Sequence, residues 1–276
     1  MQRIGIIGYG NMGSSIAQRI KNQYKVYVFD KDKNITSGLK DIEVLPSLKD
    51  LTAQAQIVIL AVKPQDLDGV LNEIKDYAQG KTIISVAAGI PTAYIEKVLG
   101  NVKMIRAMPN MGARIGKSVT CLSKGAFASE KEFLYAQELF NLLGATRGIT
   151  EDLMNAVTAV SGSGPAYYFD MIEASPQEYK NQPQKFLRDF IHLLTEAAKS
   201  AGFDRREAKT LSTLTGNCAE ALLSETGLSP LQLIKQIASK GGTTEAALEV
   251  VHRGGSLKEA VGAALKRAQD LSRKEF

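Results

Sequence analysis

The stretch RIGIIGYGNMGSSIAQRI, residues 3–20, decides the fold. Its first part is a short apolar run, Ile4 to Ile7, of strand length. Its second part spaces Met12, Ile16 and Ile20 at the helical period. Between them stand Gly8, Gly10 and Gly13, a G-x-G-x-x-G pattern that is weak alone and gains weight from a strand ahead and a helix behind. Gly8 permits a tight turn, Gly10 lets a pyrophosphate approach the backbone, and Gly13 lets helix and strand pack closely. The helix start at Asn11 and Met12 offers N–H groups and a positive dipole end to phosphates. The turn Ile7 to Gly13 is therefore a candidate dinucleotide site.

A second apolar run, KVYVFD, ends at Asp30, about 20 residues beyond Gly8, where an acidic residue meets the adenosine ribose. Asp30 favours a free 2′-hydroxyl, hence NADH. Lys31 and Lys33 just behind it can instead neutralise the 2′-phosphate of NADPH, and the residues leave both readings open. Further runs, IVILAV (57–62), TIISVAAG (82–89) and VKMIRAMP (102–109), alternate with helical patterns. That alternation implies a parallel, doubly wound α/β sheet. Such sheets bind ligands at the carboxyl ends of their strands, so Ala61, Val62, Lys63 and Pro64, then Ala87 and Ala88, then Met108, Pro109 and Asn110 are expected to line the dinucleotide cleft. SVTCLS (118–123) and ATRGI (145–149), flanking a helix over 130–143, are expected to complete the sheet.

Beyond Gly148 the pattern turns helical. Thr150 reads as an N-cap with an acidic first turn at Glu151 and Asp152, which sets the domain boundary at 149/150. Ser163 or Gly164 can cap a helix that begins at Pro165. Helical spacing then recurs over 186–201, 205–224 and 257–271. This all-α half, 150–276, carries enough apolar helix surface to expect a dimer. The break SKGGTTEAAL (239–248) interrupts it. Gly241 and Gly242 loosen the backbone, Thr243 and Thr244 open the next helix, and the hydroxyls of Ser239 and Thr244 face the same helix end. These parts suit an anion site, and equally an ordinary glycine-capped turn.

Composition narrows the class. The 276 residues are 44% hydrophobic and 23% charged, which fits a folded chain and argues against disorder. Net charge is +5, with basic and acidic residues intermixed, so a solvated surface is expected rather than a nucleic-acid face. Cys121 and Cys218 have no metal-ligand spacing, and no metal site is expected; two cysteines without disulfide spacing suit a reducing cytoplasm. No signal-peptide pattern and no apolar run of membrane-spanning length is present. His192 and His252 are expected at the surface, and Tyr167 and Tyr168 in packing.

Taken in order, GIIGYGNMG, LAVKPQ, SVAAGI, RAMPN, VSGSGPAYYF and SPLQLIKQIASKGGTTEAAL resemble the pyrroline-5-carboxylate reductase family, across nearly the whole chain. The last of these is the specific signature; the glycine turn is shared with many dehydrogenases. The resemblance implies a Rossmann-type N-terminal domain, an all-α C-terminal dimerisation domain, and a homodimer or a larger ring of dimers. It implies reduction of the ring C=N of 1-pyrroline-5-carboxylate to L-proline by NADPH or NADH. It also implies that Ser239, Gly241, Gly242, Thr243 and Thr244 bind the substrate carboxylate and that Thr244 lies beside the imine nitrogen. A protonated imine is already electrophilic, so no strong protein base is required, and Thr244 can relay a proton from solvent. A hydroxyacid dehydrogenase, the rival enzyme class, would need a lysine within 151–174, where this chain has none. A non-catalytic NAD(P) sensor is the third reading, against which the intact Ser239–Thr244 loop argues.

The chain also departs from the family pattern. Lys240 replaces a proline, Met111-Gly112 replaces Thr-Pro, and Val251-His252 stand where larger apolar and acidic or amide residues are usual. An extra segment, SPQEYKNQPQKFLRDFIH (175–192), falls within what is usually one continuous helix, and its first part is expected as a loop of about ten residues that decorates the dimer interface or closes over the site.

Overall fold

The computed structural model describes residues 1–272. The last four residues of the expected second domain lie outside the described residues. The chain divides into two compact units. Among the described residues, the first holds Met1–Met108 and Thr120–Glu151; the second holds Pro109–Val119 and residues 152–272. The main division thus falls two residues after the expected 149/150 boundary. It is not a single cut, because a short connection inside the first half joins the helical unit.

The first unit is built on β1 (Arg3–Ile7), α1 (Asn11–Ile20), β2 (Lys25–Phe29), α2 (Lys33–Thr36), β3 (Glu43–Val44), α3 (Leu48–Gln54), β4 (Ile57–Leu60), α4 (Leu67–Ile74), β5 (Thr82–Ser85), α5 (Thr92–Leu99), β6 (Lys103–Met108), β7 (Ser118–Lys124), α6 (Glu130–Asn141) and β8 (Gly144–Gly148). The eight strands form one sheet in the order β3-β2-β1-β4-β5-β6-β7-β8. All pairs from β3 to β6 are parallel, and β7 turns back antiparallel on β6. Buried Ile and Val on both faces of β1 and β4 explain why these central strands are apolar throughout rather than alternating. In register, Ile7 stands between Phe29 and Leu60, and Leu60 beside Ser85. The loops after β1, β2, β4 and β5 therefore leave the sheet at one edge. The strand order reverses between β1 and β4, the switch point where such sheets bind ligands. β3, two exposed residues long, has no apolar signature and was not expected.

Glu151 was expected to open a helix through the dipole. Instead it sits in a 3-10 turn, Glu151–Leu153, and its carboxylate serves the sheet. It accepts from Arg106 Nη1 at 2.9 Å, Ser123 Oγ at 2.5 Å and Thr92 N at 3.2 Å. Arg106 is buried in β6, and an unpaired guanidinium there would be costly, which accounts for the acid at 151.

The second unit contains α7 (Met154–Val157), a π turn (Thr158–Gly162), α8 (Gly164–Ala174), α9 (Pro176–Asn181), α10 (Pro183–Ser200), α11 (Arg205–Thr226), α12 (Pro230–Ile237), α13 (Thr243–His252) and α14 (Leu257–Ser272). α10 packs on α11 and α14, α12 on α8, and α13 along α14. Tyr167, Tyr168, Phe169 and Phe190 are fully buried at its centre, and His192 is exposed. No described helix is long and apolar enough to cross a membrane.

The extra segment corrects the expectation of a loop. It is two helices, α9 and α10, set off by single-residue breaks at Ser175 and Gln182, with nearly the same backbone angles (φ −138°, ψ 58° and φ −141°, ψ 59°). Each break precedes a proline, whose ring pushes the residue before it out of the α region while itself fitting the first turn of the next helix. Tyr179 of α9 and Tyr168 of α8 both donate to the Glu220 carboxylate, at 2.8 and 2.5 Å. Their rings pack edge to face with each other and with Phe186. Burial, first, and Glu220 beside them push both phenols above their usual range, Tyr179 to about 12.

Candidate active site

The first unit presents a groove of about 630 Å³ at the carboxyl edge of the sheet. It brings together eight of the expected cofactor residues: Ile7, Gly8, Gly10, Asp30, Lys31, Ala61, Val62 and Lys63. Phe29, Ile35, Leu48 and Val70 add an apolar wall. Gly8 has φ +97°, and a Cβ there would lie 2.6 Å from the Ala61 carbonyl oxygen. Gly13 is tighter, since a Cβ would meet the Gly8 carbonyl oxygen at 1.9 Å. Gly10 is the opposite case, with nothing within 4 Å of its Cβ position and ordinary angles (φ −67°, ψ −165°). Two glycines hold the turn against helix and strand, and the third keeps space open at the N-terminus of α1. These residues fit a dinucleotide pyrophosphate.

Asp30 helps to build the turn. Its Oδ2 accepts from Tyr9 N at 2.7 Å and its Oδ1 from Asp32 N at 2.9 Å. Lys31 is not left to itself: its ammonium meets Asp66 Oδ1 at 2.6 Å, and that hydrogen bond, with the charge of Asp66, raises its pKa. Lys63 is exposed at the groove, and Pro64 opens a 3-10 turn. Asn11, Met12 and Gly13 form the first turn of α1, beside the groove rather than on its wall. Ala87 is buried, its N–H bonded to Ser85 Oγ at 3.2 Å; it, the half-buried Ala88 and Met108 do not line this groove.

Pro109 and Asn110 belong to the second unit. The Asn110 side chain is buried and committed within that unit. Its Oδ1 accepts from Gly112 N at 3.1 Å, Val119 N at 3.2 Å and Cys218 Sγ at 3.5 Å, and its Nδ2 donates to Ser161 O at 3.4 Å. It organises the 109–119 connection, and no spacing in the sequence announces that role.

The expected substrate loop lies between α12 and α13. α12 begins with a capping box of Ser229 and Gln232, with Pro230 in its first turn. It ends at Ile237, and α13 opens with Gly242 as N-cap and no side-chain cap. The Gly241 peptide is clamped at both ends: its N–H donates to Glu245 Oε2 at 2.5 Å and its carbonyl accepts from Arg267 Nε at 2.7 Å. The Gly242 N–H donates to Ser239 O at 2.9 Å. A Cβ on Gly242 would strike Ser239 Oγ at 2.4 Å, so glycine is required to let that hydroxyl lie over the loop. Both glycine N–H groups thus have internal acceptors. The donors that helix geometry leaves to a ligand are first-turn N–H groups of α13, among them those of Thr243 and Thr244. Glu245 could have been suspected from its place in the first turn; Arg267, far along the chain, could not.

Thr244 is buried, at 5% exposure, and its Oγ1 donates to Ser163 Oγ at 2.9 Å. Thr243 Oγ1 lies 3.1 Å from the same serine oxygen. Lys240 is exposed, and His252 pairs with Asp170 at 2.8 Å on the surface.

Residues 3–89 match a family model described as NADP oxidoreductase, coenzyme F420-dependent. Residues 151–180 and 186–275 match one described as pyrroline-5-carboxylate reductase dimerisation, the gap falling at the Gln182 break. The pyrroline-5-carboxylate reductase of Methanosarcina acetivorans is 32% identical over 99% of both chains. That of Synechocystis is 31% identical, again over 99% of both. Among solved structures, the pyrroline-5-carboxylate reductase of Coxiella burnetii is 30% identical with a TM-score of 0.66, over 98% of both chains. The pyrroline carboxylate reductase of Plasmodium falciparum with NADP bound is 25% identical with a TM-score of 0.63, over 98% of both. This chain, with its glycine turn at Gly8–Gly13 and its Ser239–Thr244 loop, belongs to the pyrroline-5-carboxylate reductase family.

Proposed function

We propose that this chain reduces 1-pyrroline-5-carboxylate to L-proline with NADPH or NADH, the last step of proline synthesis. The observation that carries the reading is the loop at the start of α13, where Ser239 Oγ lies over Gly242 and the buried Thr244 hydroxyl follows in the first turn of the helix. That set suits a small ring bearing a carboxylate on the carbon next to a nitrogen. The bound dinucleotide supplies a hydride to the C=N carbon; the nitrogen carries the proton, and the ring leaves as a secondary amine. Gly8, Gly10 and the α1 start hold the pyrophosphate, with Asn11, Met12 and Gly13 shaping that turn. The first-turn N–H groups of α13 with Ser239 hold the carboxylate, and Thr244 faces the ring nitrogen. Most of the rate enhancement comes from position, and the site needs no histidine or cysteine.

Within the pair of cofactors the groove favours NADH. Asp30, Asp66 and Glu73 line it against Lys31 and Lys63, and Lys31 is already held by Asp66. We also propose a homodimer through the helical unit, capable of assembling into a ring of dimers, and a cytoplasmic location. The test is oxidation of NADH and NADPH by the purified protein on addition of 1-pyrroline-5-carboxylate, followed in parallel. Substrate-dependent oxidation is expected, with the higher kcat/KM for NADH. Cofactor binding without turnover would favour the sensor reading.

A further inference from the structure

The hydrogen-bond network behind Thr244 has a direction, and that direction bears on which form of the substrate the site takes. Ser163 follows the π turn Thr158–Gly162, where the Ser163 N–H reaches the Thr158 carbonyl, five residues back, at 3.0 Å. The π turn adds one residue to a helical turn, so every side chain after it faces about 100° away from where an unbroken helix would place it. Ser163 is thereby turned inward, at 1% exposure, against the first turn of α13. The π turn is itself held: the buried Tyr167 donates from its hydroxyl to the Ala159 carbonyl at 2.9 Å. Gly164, next to Ser163, leaves no room for a Cβ, which would meet Thr215 Cγ2 at 2.6 Å.

A threonine hydroxyl has one proton and two lone pairs. In this structure the Thr244 hydroxyl donates to Ser163 Oγ, which leaves the Ser163 proton for Thr243 Oγ1 at 3.1 Å. What Thr244 can still offer a ligand is a lone pair. A lone pair pairs with an N–H donor and repels the lone pair of a neutral imine nitrogen.

We propose that Ser163 is a positioning residue that holds Thr244 Oγ1 as a hydrogen-bond acceptor, so that the site takes the ring as its protonated, N–H-bearing C=N form. This rests on the proposed reduction and assigns the residue that sets its substrate form. Thr244 then orients a cation that arrives already activated, and the relay of a solvent proton through Thr244 is unnecessary. Ser163 and Thr244 act as one unit.

The test is a double-mutant cycle on the wild-type reaction. Ser163→Cys keeps the volume but replaces a good acceptor with a weak one, and Ser163→Ala removes the acceptor. Both are expected to lower kcat about tenfold to a hundredfold, the scale of one misdirected hydrogen bond to a charged group, with the cofactor KM unchanged. Ser163→Ala combined with Thr244→Ala is expected to be no slower than Thr244→Ala alone. A merely structural role for Ser163 would lower both single variants and compound in the double one. Wild-type kcat in Ser163→Cys, or full additivity in the double variant, overturns the proposal. A wild-type protein that turns over no cyclic imine overturns the functional reading instead, which keeps the two failures apart.

Discussion

Gly10 and Gly13 lie three residues apart in the same turn, and the structure assigns them opposite costs. An alanine Cβ at Gly13 would lie 1.9 Å from the Gly8 carbonyl oxygen, so helix α1 and the turn would have to part by about 1 Å. The obstacle is backbone, and the cost belongs at the upper end of overpacking, about 3 kcal/mol. At roughly 2–4 °C per kcal/mol for a domain of this size, Gly13→Ala should melt about 6–12 °C below wild type. An alanine at Gly10 meets nothing within 4 Å and keeps allowed angles. Reduced freedom of the unfolded chain favours it, loss of glycine at an N-cap opposes it, and the balance stays within about 1 kcal/mol. Its methyl group, however, stands in the space a pyrophosphate must enter. Cofactor affinity should fall about tenfold or more, or some 1.4 kcal/mol, while melting of the cofactor-free protein is nearly unchanged. The chain has no tryptophan, so binding is followed by the fluorescence of the reduced nicotinamide, and stability by calorimetry without cofactor. Wild-type affinity in Gly10→Ala, or wild-type melting in Gly13→Ala, would refute the account of this turn.

Other consequences are equally direct. Thr244→Ala should lower kcat about tenfold to a hundredfold and leave the cofactor dissociation constant unchanged; unchanged turnover would show the hydroxyl dispensable. Glu220→Ala leaves two tyrosine hydroxyls without their shared acceptor and should cost about 2–4 kcal/mol, with faster proteolysis between Ser175 and Pro183; wild-type melting and cleavage would argue against the docking of α9. Burial pushes the Cys218 thiol up to about 12, so it should resist alkylation in the native protein near neutral pH and react on unfolding. Its folded value is raised, so its contribution to stability is intact below about pH 9 and is lost progressively towards pH 12, as denaturant titrations across that range would show.

The fold was legible because its strongest signals are local. Ile4–Ile7, the three glycines and the helical period behind them carry their own context, and β4, β5 and β6 follow as apolar runs. β3 carried no such signal, since two exposed residues obey no period. Prolines 176 and 183 were misleading: both break a helix and both start one, and only their position relative to the chain's direction decides which. The candidate site was half legible. Residue types at Ser239–Thr244 point to an anion, but the donors shift once Glu245 and Arg267 occupy the Gly241 peptide. Asn110, Glu151 and Ser163 act through partners dozens of residues away, Ser161 and Cys218, Arg106, and Thr244, where no spacing rule reaches.

Product analysis tests the proposed reduction at the reacting atoms. The purified chain is given 1-pyrroline-5-carboxylate with NADH or NADPH carrying deuterium on the transferred position. One L-proline is expected per cofactor oxidised, with the deuterium on the former C=N carbon. Cofactor oxidation without labelled proline, or binding of both molecules with no transfer, would contradict it.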